Sequence, residues 1–161
     1  MNYSRTILPE FDHEMANTRK VLERVPEDKL DWKPTPTSQT IEWNAAHIAA
    51  IPHWGSVILS QPEFNFATAQ RPEPPKGREQ ILATFDKNVA DLRQALSNAR
   101  DEHVSQHWTL RAGDDVIFTL PRHAAIRAMV MSHTIHHRAM LIMNLRLNGI
   151  KAPGMYGPGD E

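Results

Sequence analysis

Met129-Val-Met-Ser-His-Thr-Ile-His-His-Arg-Ala-Met-Leu-Ile-Met-Asn-Leu-Arg-Leu, ending at Leu147, is the stretch whose reading decides the fold. No proline or glycine occurs between Pro121 and Gly149, and Met, Leu, Ile and Ala dominate. Met, Leu and Ala lose little freedom in a helix, so the run predicts the strongest helix of the chain. At about 100° per residue, His133 and His137 project only about 40° apart, one turn above the other. Two imidazoles at i, i+4 are spaced as in helical sites that grip one metal ion. His133 and His136 also share a face, so the surrounding apolar positions must separate the pairs. Ile126, Met129, Val130, Met140 and Leu141 project within roughly 80° of His133, and their mean direction passes between His133 and His137. This turns His133 and His137 into the core and leaves His136 at the rim. The blander alternative is one hydrogen-bonded core histidine beside surface ones. It fits a lone histidine better than a pair inside an apolar stripe.

The totals narrow the field. A chain of 161 residues suits a single domain over 1–161. Lys+Arg number 18 against 19 Asp+Glu, a formal net charge of -1, which gives no electrostatic footprint for nucleic acid. No window approaches the roughly 18 uninterrupted apolar residues of a membrane span, and Met1-Asn-Tyr-Ser-Arg lacks a signal peptide's apolar core. A cytoplasmic protein without a membrane partner is the expectation. The absence of cysteine removes disulfides, thiolate ligands and any thiol nucleophile of the chain's own. Nine histidines are then the obvious borderline-soft ligands.

Helix one is expected over about Leu8 to Leu22, or from a turn earlier, with Pro9 in its first turn and Leu8, Phe11, Met15, Thr18 and Leu22 on one face. His13 lies off that stripe and reads as a surface residue. Val25-Pro26 ends the helix, and Pro34-Thr-Pro-Thr-Ser-Gln-Thr is an extended connector. Ser38 or Thr40 caps helix two, which continues from Ile41 toward Leu59. There Trp43, His47, Ala50 and Trp54 share an aromatic-rich face, and Pro52 predicts a kink beyond His47. His53 points elsewhere and reads as surface. Pro62 to Gly77, with four of the twelve prolines, is a long irregular connection.

Helix three starts at Arg78 and seams along Ile81, Phe85, Val89, Leu92 and Leu96. His103 and His107 form a rival i, i+4 pair, but Asp101, Glu102 and Gln106 surround them and favour a surface reading. Trp108-Thr-Leu-Arg-Ala-Gly-Asp-Asp-Val-Ile-Phe-Thr-Leu brackets a turn, which suits a small hairpin or extended loop, and Pro121 suits the first turn of helix four. The sum is an all-α four-helix bundle with a long second-to-third connection and a small extended insert before the last helix. One inward histidine on helix two and two on helix four would make a three-histidine site of His47, His133 and His137. Met131, Ile135, Ile142 and Leu145 lie far from the histidine stripe, so helix four is apolar nearly all round. That predicts burial on two faces, either by a central place in the bundle or at a dimer interface, and a homodimer is the preferred reading.

Val25-Pro-Glu-Asp-Lys-Leu-Asp-Trp-Lys-Pro, the Trp43-to-His47 helix, His133-Thr-Ile-His-His-Arg-Ala-Met-Leu and Leu145-Arg-Leu-Asn-Gly together resemble the DinB family. That family is similar to YfiT-type metalloenzymes and to thiol-dependent transferases and isomerases. The resemblance covers nearly the whole chain, with His-x-x-x-His-Arg its most specific part. It implies a four-helix bundle, commonly dimeric, holding a divalent metal through His47, His133 and His137, the same three the wheel selects. Ala139-Met140 stands where the family usually has Gly-Gln, which removes a polar side chain near the site.

Three neutral imidazoles would leave an ion its full charge and an open position, as in catalytic rather than structural sites. The resemblance thus implies an enzyme that activates a low-molecular-weight thiol, or water, for transfer to an electrophilic small molecule. With no cysteine in the chain, the thiol would arrive as a cosubstrate such as bacillithiol, mycothiol or glutathione. Zn2+ or Ni2+ lead as the ion, with Fe2+ and Mn2+ also suited to imidazole. The alternative is a non-enzymatic, stress-associated metal-binding bundle whose fourth position is closed by His136, Asn144 or a carboxylate. A metal-free bundle that binds a small ligand is a third reading. Trp43 and Trp54 could wall a pocket, Asn144 could orient a ligand, and Arg138 reads as a salt bridge or dimer contact.

Overall fold

The computed structural model describes residues 2–70 and 72–160. Its elements are α1 (Tyr3–Leu22), a 3-10 turn at Glu27–Lys29, α2 (Ile41–Ser60), β1 (Glu63–Asn65), α3 (Gly77–Asn98), α4 (Asp101–Val104), β2 (His107–Ala112), β3 (Asp115–Pro121), α5 (Arg122–Ile126), a π-helical segment (Arg127–Ser132) and α6 (His133–Leu147). The two ends of the expected 1–161 domain, and position 71 in the connection before α3, lie outside the described residues.

α1 begins well before Leu8 because polar groups, not the apolar stripe, start it. Asn2 caps it by accepting from the Arg5 N–H at 3.1 Å, the Tyr3 N–H donates to Asp101 at 2.8 Å, and the Ser4 hydroxyl donates to the Leu96 carbonyl at 2.6 Å. Pro9 therefore falls past the first turn. It sits on the exposed face, where water can serve the carbonyl that its missing N–H leaves unpaired. Thr40 caps α2 by accepting from the Trp43 N–H at 3.1 Å, and the helix runs on to Ser60. On α3 the expected seam is present: Ile81, Phe85, Leu92 and Leu96 are buried. α1 packs on α3 and α6, and α2 packs on the same two helices. At Gly55 the approach of α2 to α3 is so close that a Cβ would lie 2.5 Å from a Leu92 methyl.

The expectation of an all-α chain is corrected. The insert is a hairpin, β2 against β3, turning at Gly113 with φ 65, and β1 adds to β2 in parallel. The result is a three-stranded sheet in the order β1-β2-β3. Alternation drives it: Trp108 and Leu110 point inward from β2 while their neighbours face out. β1 is held by an aromatic cluster, in which the Trp54 ring lies 4.6 Å from Phe64 and 5.5 Å from Phe66. Trp54 is thus a packing residue.

α5, the π segment and α6 form one continuous rod from Arg122, which follows rather than contains Pro121. Arg122 closes the C-terminal end of α2 by donating to the Ile58 and Gln61 carbonyls. Gly149, at φ 72, ends α6; its N–H bonds Arg146 O at 2.9 Å and the Ile150 N–H bonds Leu145 O at 3.0 Å, a Schellman cap. Of the apolar residues off the histidine stripe, Met131, Ile142 and Leu145 are buried within this chain and Ile135 is half-buried, as a helix central in the bundle requires. The large apolar residues left exposed on α6 are Met140, Met143 and Leu147.

Arg138, like Arg122, is a buried cation. Its guanidinium lies 2.7 Å from the Glu14 carboxylate on α1, and both side chains are under a tenth exposed. It also donates to Thr18 at 3.2 Å and to the Tyr156 hydroxyl at 2.8 Å, while that hydroxyl donates to Glu14 at 2.9 Å. The segment after α6 is thereby fastened onto α1. Arg138→Leu strands a buried carboxylate and should cost about 3–5 kcal/mol, whereas Glu14→Leu with Arg138→Leu should recover much of that loss. Urea unfolding of both variants reads the difference; equal losses would mean that packing, not charge pairing, sets the cost.

Candidate metal centre

His47 sits near the middle of α2, and His133 and His137 occupy the first turn and a half of α6. The structure brings the three together. The rings of His47 and His133 have centroids 5.0 Å apart, those of His47 and His137 4.4 Å, and those of His133 and His137 4.8 Å. One ring nitrogen from each lies within 4.8 Å of the other two. The His47 and His133 Nε2 atoms are 3.2 Å apart. Two nitrogens each about 2.0–2.1 Å from one ion, at a tetrahedral angle, would lie roughly 3.3 Å apart, so this pair needs almost no movement to share one. Among the described residues no fourth histidine and no carboxylate joins the cluster.

The site is an edge of the core rather than its centre. All three rings are half-buried, since the most buried line of α6 runs through Thr134, Arg138, Leu141 and Leu145. Arg138 therefore faces the core rather than the triad, and of its two expected roles it takes the salt bridge, to Glu14. Met140, assigned to the inward stripe, is 46% exposed. The cause is the π segment just before His133. Its wider turns break the 3.6-residue count, so Ile126, Met129 and Val130 do not share an ideal wheel with the residues after Ser132. His136 is exposed at the rim as expected, its ring 5.0 Å from His137.

Burial acts on the ionisation of all three. It pushes His47 down to about 4, helped by the charge His133 would carry. It likewise pushes His137 down to about 4, with His47, His133 and His136 adding to the effect. Burial lowers His133 too, partly opposed by the nearby Met129 carbonyl and aided by the charge His136 would carry. At neutral pH the cluster is a set of uncharged imidazoles, the form that ligates metal.

Around the cluster, the Trp43 indole stacks on His47 with centroids 4.9 Å apart and planes at 14°, and it is 42% exposed. Asn44 is buried and makes two hydrogen bonds to His137, from its Nδ2 to the backbone carbonyl at 3.2 Å and between its Oδ1 and ring Nδ1 at 2.9 Å. Reading the sequence passed over Asn44. Its signal was a polar residue in an Ile- and Ala-rich helix, one turn ahead of His47. Asn144 is buried further along α6, its carbonyl accepting from Asn148.

The remaining histidines stay apart. His103 belongs to α4 and meets the Leu59 carbonyl at 2.7 Å, while His107 opens β2, so they never share a helical face. His13 and His53 are exposed.

A family model described as the DinB superfamily matches residues 10–141. The Bacillus subtilis protein called "Uncharacterized protein YrdA" is 25% identical over 158 residues, covering 96% of this chain and 88% of that one. A crystal structure of a DinB-like protein from Bacillus subtilis, YjoA, superposes with a TM-score of 0.71 at 18% identity, covering 95% of this chain and 99% of that one, which is a likeness of fold.

Because the folded values of His47 and His137 lie below the ordinary 6.5, the unfolded chain takes up protons first as pH falls. Metal-free protein should be fully stable above about pH 6.5 and lose stability progressively toward pH 4. Thermal melts across that range check this, and His47→Gln should flatten the slope. An unchanged slope would mean that the rings are not held neutral by the fold.

Proposed function

The chain belongs to the DinB superfamily, and on that premise we propose that it is a divalent-metal protein in which His47, His133 and His137 hold one ion for catalysis. The observation that carries this reading is the convergence of three uncharged imidazoles from two helices, two of their nitrogens already 3.2 Å apart. Zn2+ and Ni2+ suit such a donor set best, with Fe2+ and Mn2+ next. When bound there, the ion supplies a +2 charge that lowers the pKa of a thiol or water brought to it. The chain's own residues hold the donor atoms at fixed spacing, keep the three rings uncharged near neutral pH and stack Trp43 on His47. We read the four long helices, α1, α2, α3 and the α5–α6 rod, as a four-helix bundle of the family's kind.

The reaction we propose is transfer of a low-molecular-weight thiol, or of water, to an electrophilic small molecule. The chain has no cysteine, so a thiol nucleophile must come from a cosubstrate. A purely structural metal site would need a fourth donor, and none of the described histidines or carboxylates joins the three. That favours the enzymatic reading over a stress-associated metal-binding bundle. We further propose a homodimer, with Met140, Met143 and Leu147 as the apolar strip to be covered.

Untagged wild-type protein should carry about one divalent ion per chain, and His47→Ala and His137→Ala should lose it, as elemental analysis would measure. Equally little metal in all three ends the metal reading. With bacillithiol or glutathione and an electrophilic dye, loaded protein should consume thiol faster than chelator-stripped protein. Equal rates would leave a metal site without the proposed transfer. Light scattering should give twice the chain mass; a clean monomer removes the dimer.

A further inference from the structure

Asn44 is 2% exposed, and both ends of its side-chain amide are engaged by one residue, His137, on another helix. The chemistry of the two contacts fixes every proton between them. A backbone carbonyl can only accept, so the amide atom 3.2 Å from the His137 carbonyl is the Nδ2 donor. The other end is then the Oδ1 atom, which can only accept. It lies 2.9 Å from His137 Nδ1, so that nitrogen must carry the proton. A neutral imidazole has one N–H, which leaves Nε2 with a free lone pair. The opposite tautomer would set two lone pairs against each other in a buried place, leaving both acceptors without a donor.

We propose that Asn44 is a positioning residue that holds His137 in its Nδ1–H form and so commits the Nε2 lone pair of that ring to the triad. The consequence for metal rests on the metal-centre reading above; the tautomer itself does not. His47 and His133 differ in kind. Their Nε2 atoms face each other at 3.2 Å, so one donates and the other accepts, and the two can exchange roles. His137 has no such freedom. Asn44 and His47 also lie one turn apart on α2. The residue that orients one ring is therefore built into the helix that carries another, and a movement of α2 carries both. Partners that orient a ligating histidine in this way are worth about 10–100-fold in metal affinity when removed.

The test begins with metal-free wild-type protein at pH 7.5, where 15N–1H correlations of labelled histidine report the tautomer of each ring. His137→Gln identifies the His137 signals. The expected result is Nδ1–H at His137. Asn44→Leu keeps the bulk and removes the acceptor, and should mix the tautomers. Asn44→Asp keeps the acceptor toward Nδ1 but turns its second oxygen, with no proton to give, against the His137 carbonyl; it should restore Nδ1–H without restoring that second bond. In Zn2+ competition against a chromophoric chelator, Asn44→Leu should bind about 10–100-fold more weakly than wild type, with Asn44→Asp tighter than Asn44→Leu. An Nε2–H ring in wild type overturns the proposal without recourse to any variant. So does an Asn44→Leu protein whose tautomer and affinity are both unchanged. Wild type that has Nδ1–H at His137 but takes up no Zn2+ upholds the tautomer and overturns the metal-centre reading instead.

Discussion

The meeting of α2 with α6 is the constraint that everything at the site depends on. Two hydrogen bonds join Asn44 to the ring and the backbone of His137, and the three imidazoles crowd together beside them. Like charges at these distances repel, so the rings stay together only while they are neutral. Burial supplies that condition by penalising the protonated form of each. Packing and electrostatics therefore make the same demand. The apolar seam of α3 beneath α2 and the Glu14–Arg138 pair behind α6 hold the two helices in place.

That support is uneven in kind. Behind α6 it is a charged pair cut off from water, with Tyr156 and Thr18 completing the donors and acceptors. Such an arrangement has high stakes, because a group deprived of its partner there cannot turn to solvent. On the open side the support is aromatic, the Trp43 indole against His47. The triad thus has a buried, charge-paired back and a half-open front.

Legibility followed the range of the interactions. Periodicity and capping are local, so the Thr40 cap, the Ile81-to-Leu96 seam and the approach of His47 to His133 and His137 could be read from spacing and turn chemistry. The start of α1 could not, since it depends on Asp101 and Leu96 far along the chain. Nor could β1, three residues recruited by the free edge of β2 and by Trp54. Glu14 and Arg138 are separated by most of the sequence, and nothing in either neighbourhood announces the other. Asn44 was hidden differently: its meaning lies in one carbonyl and one ring nitrogen of another helix. Met140 was misread because a straight wheel was drawn through a helix that is not uniformly wound.

The π segment has a consequence for how sequences of this kind can diverge. Between Arg127 and Ser132 the chain spends more residues per turn than an α-helix requires. Any substitution there that tolerates helical backbone leaves the count, and hence the bearing of everything downstream, as it was. Loss or gain of one residue would instead swing the whole downstream half by about 100°. At this place in the chain, length is a sterner inheritance than identity.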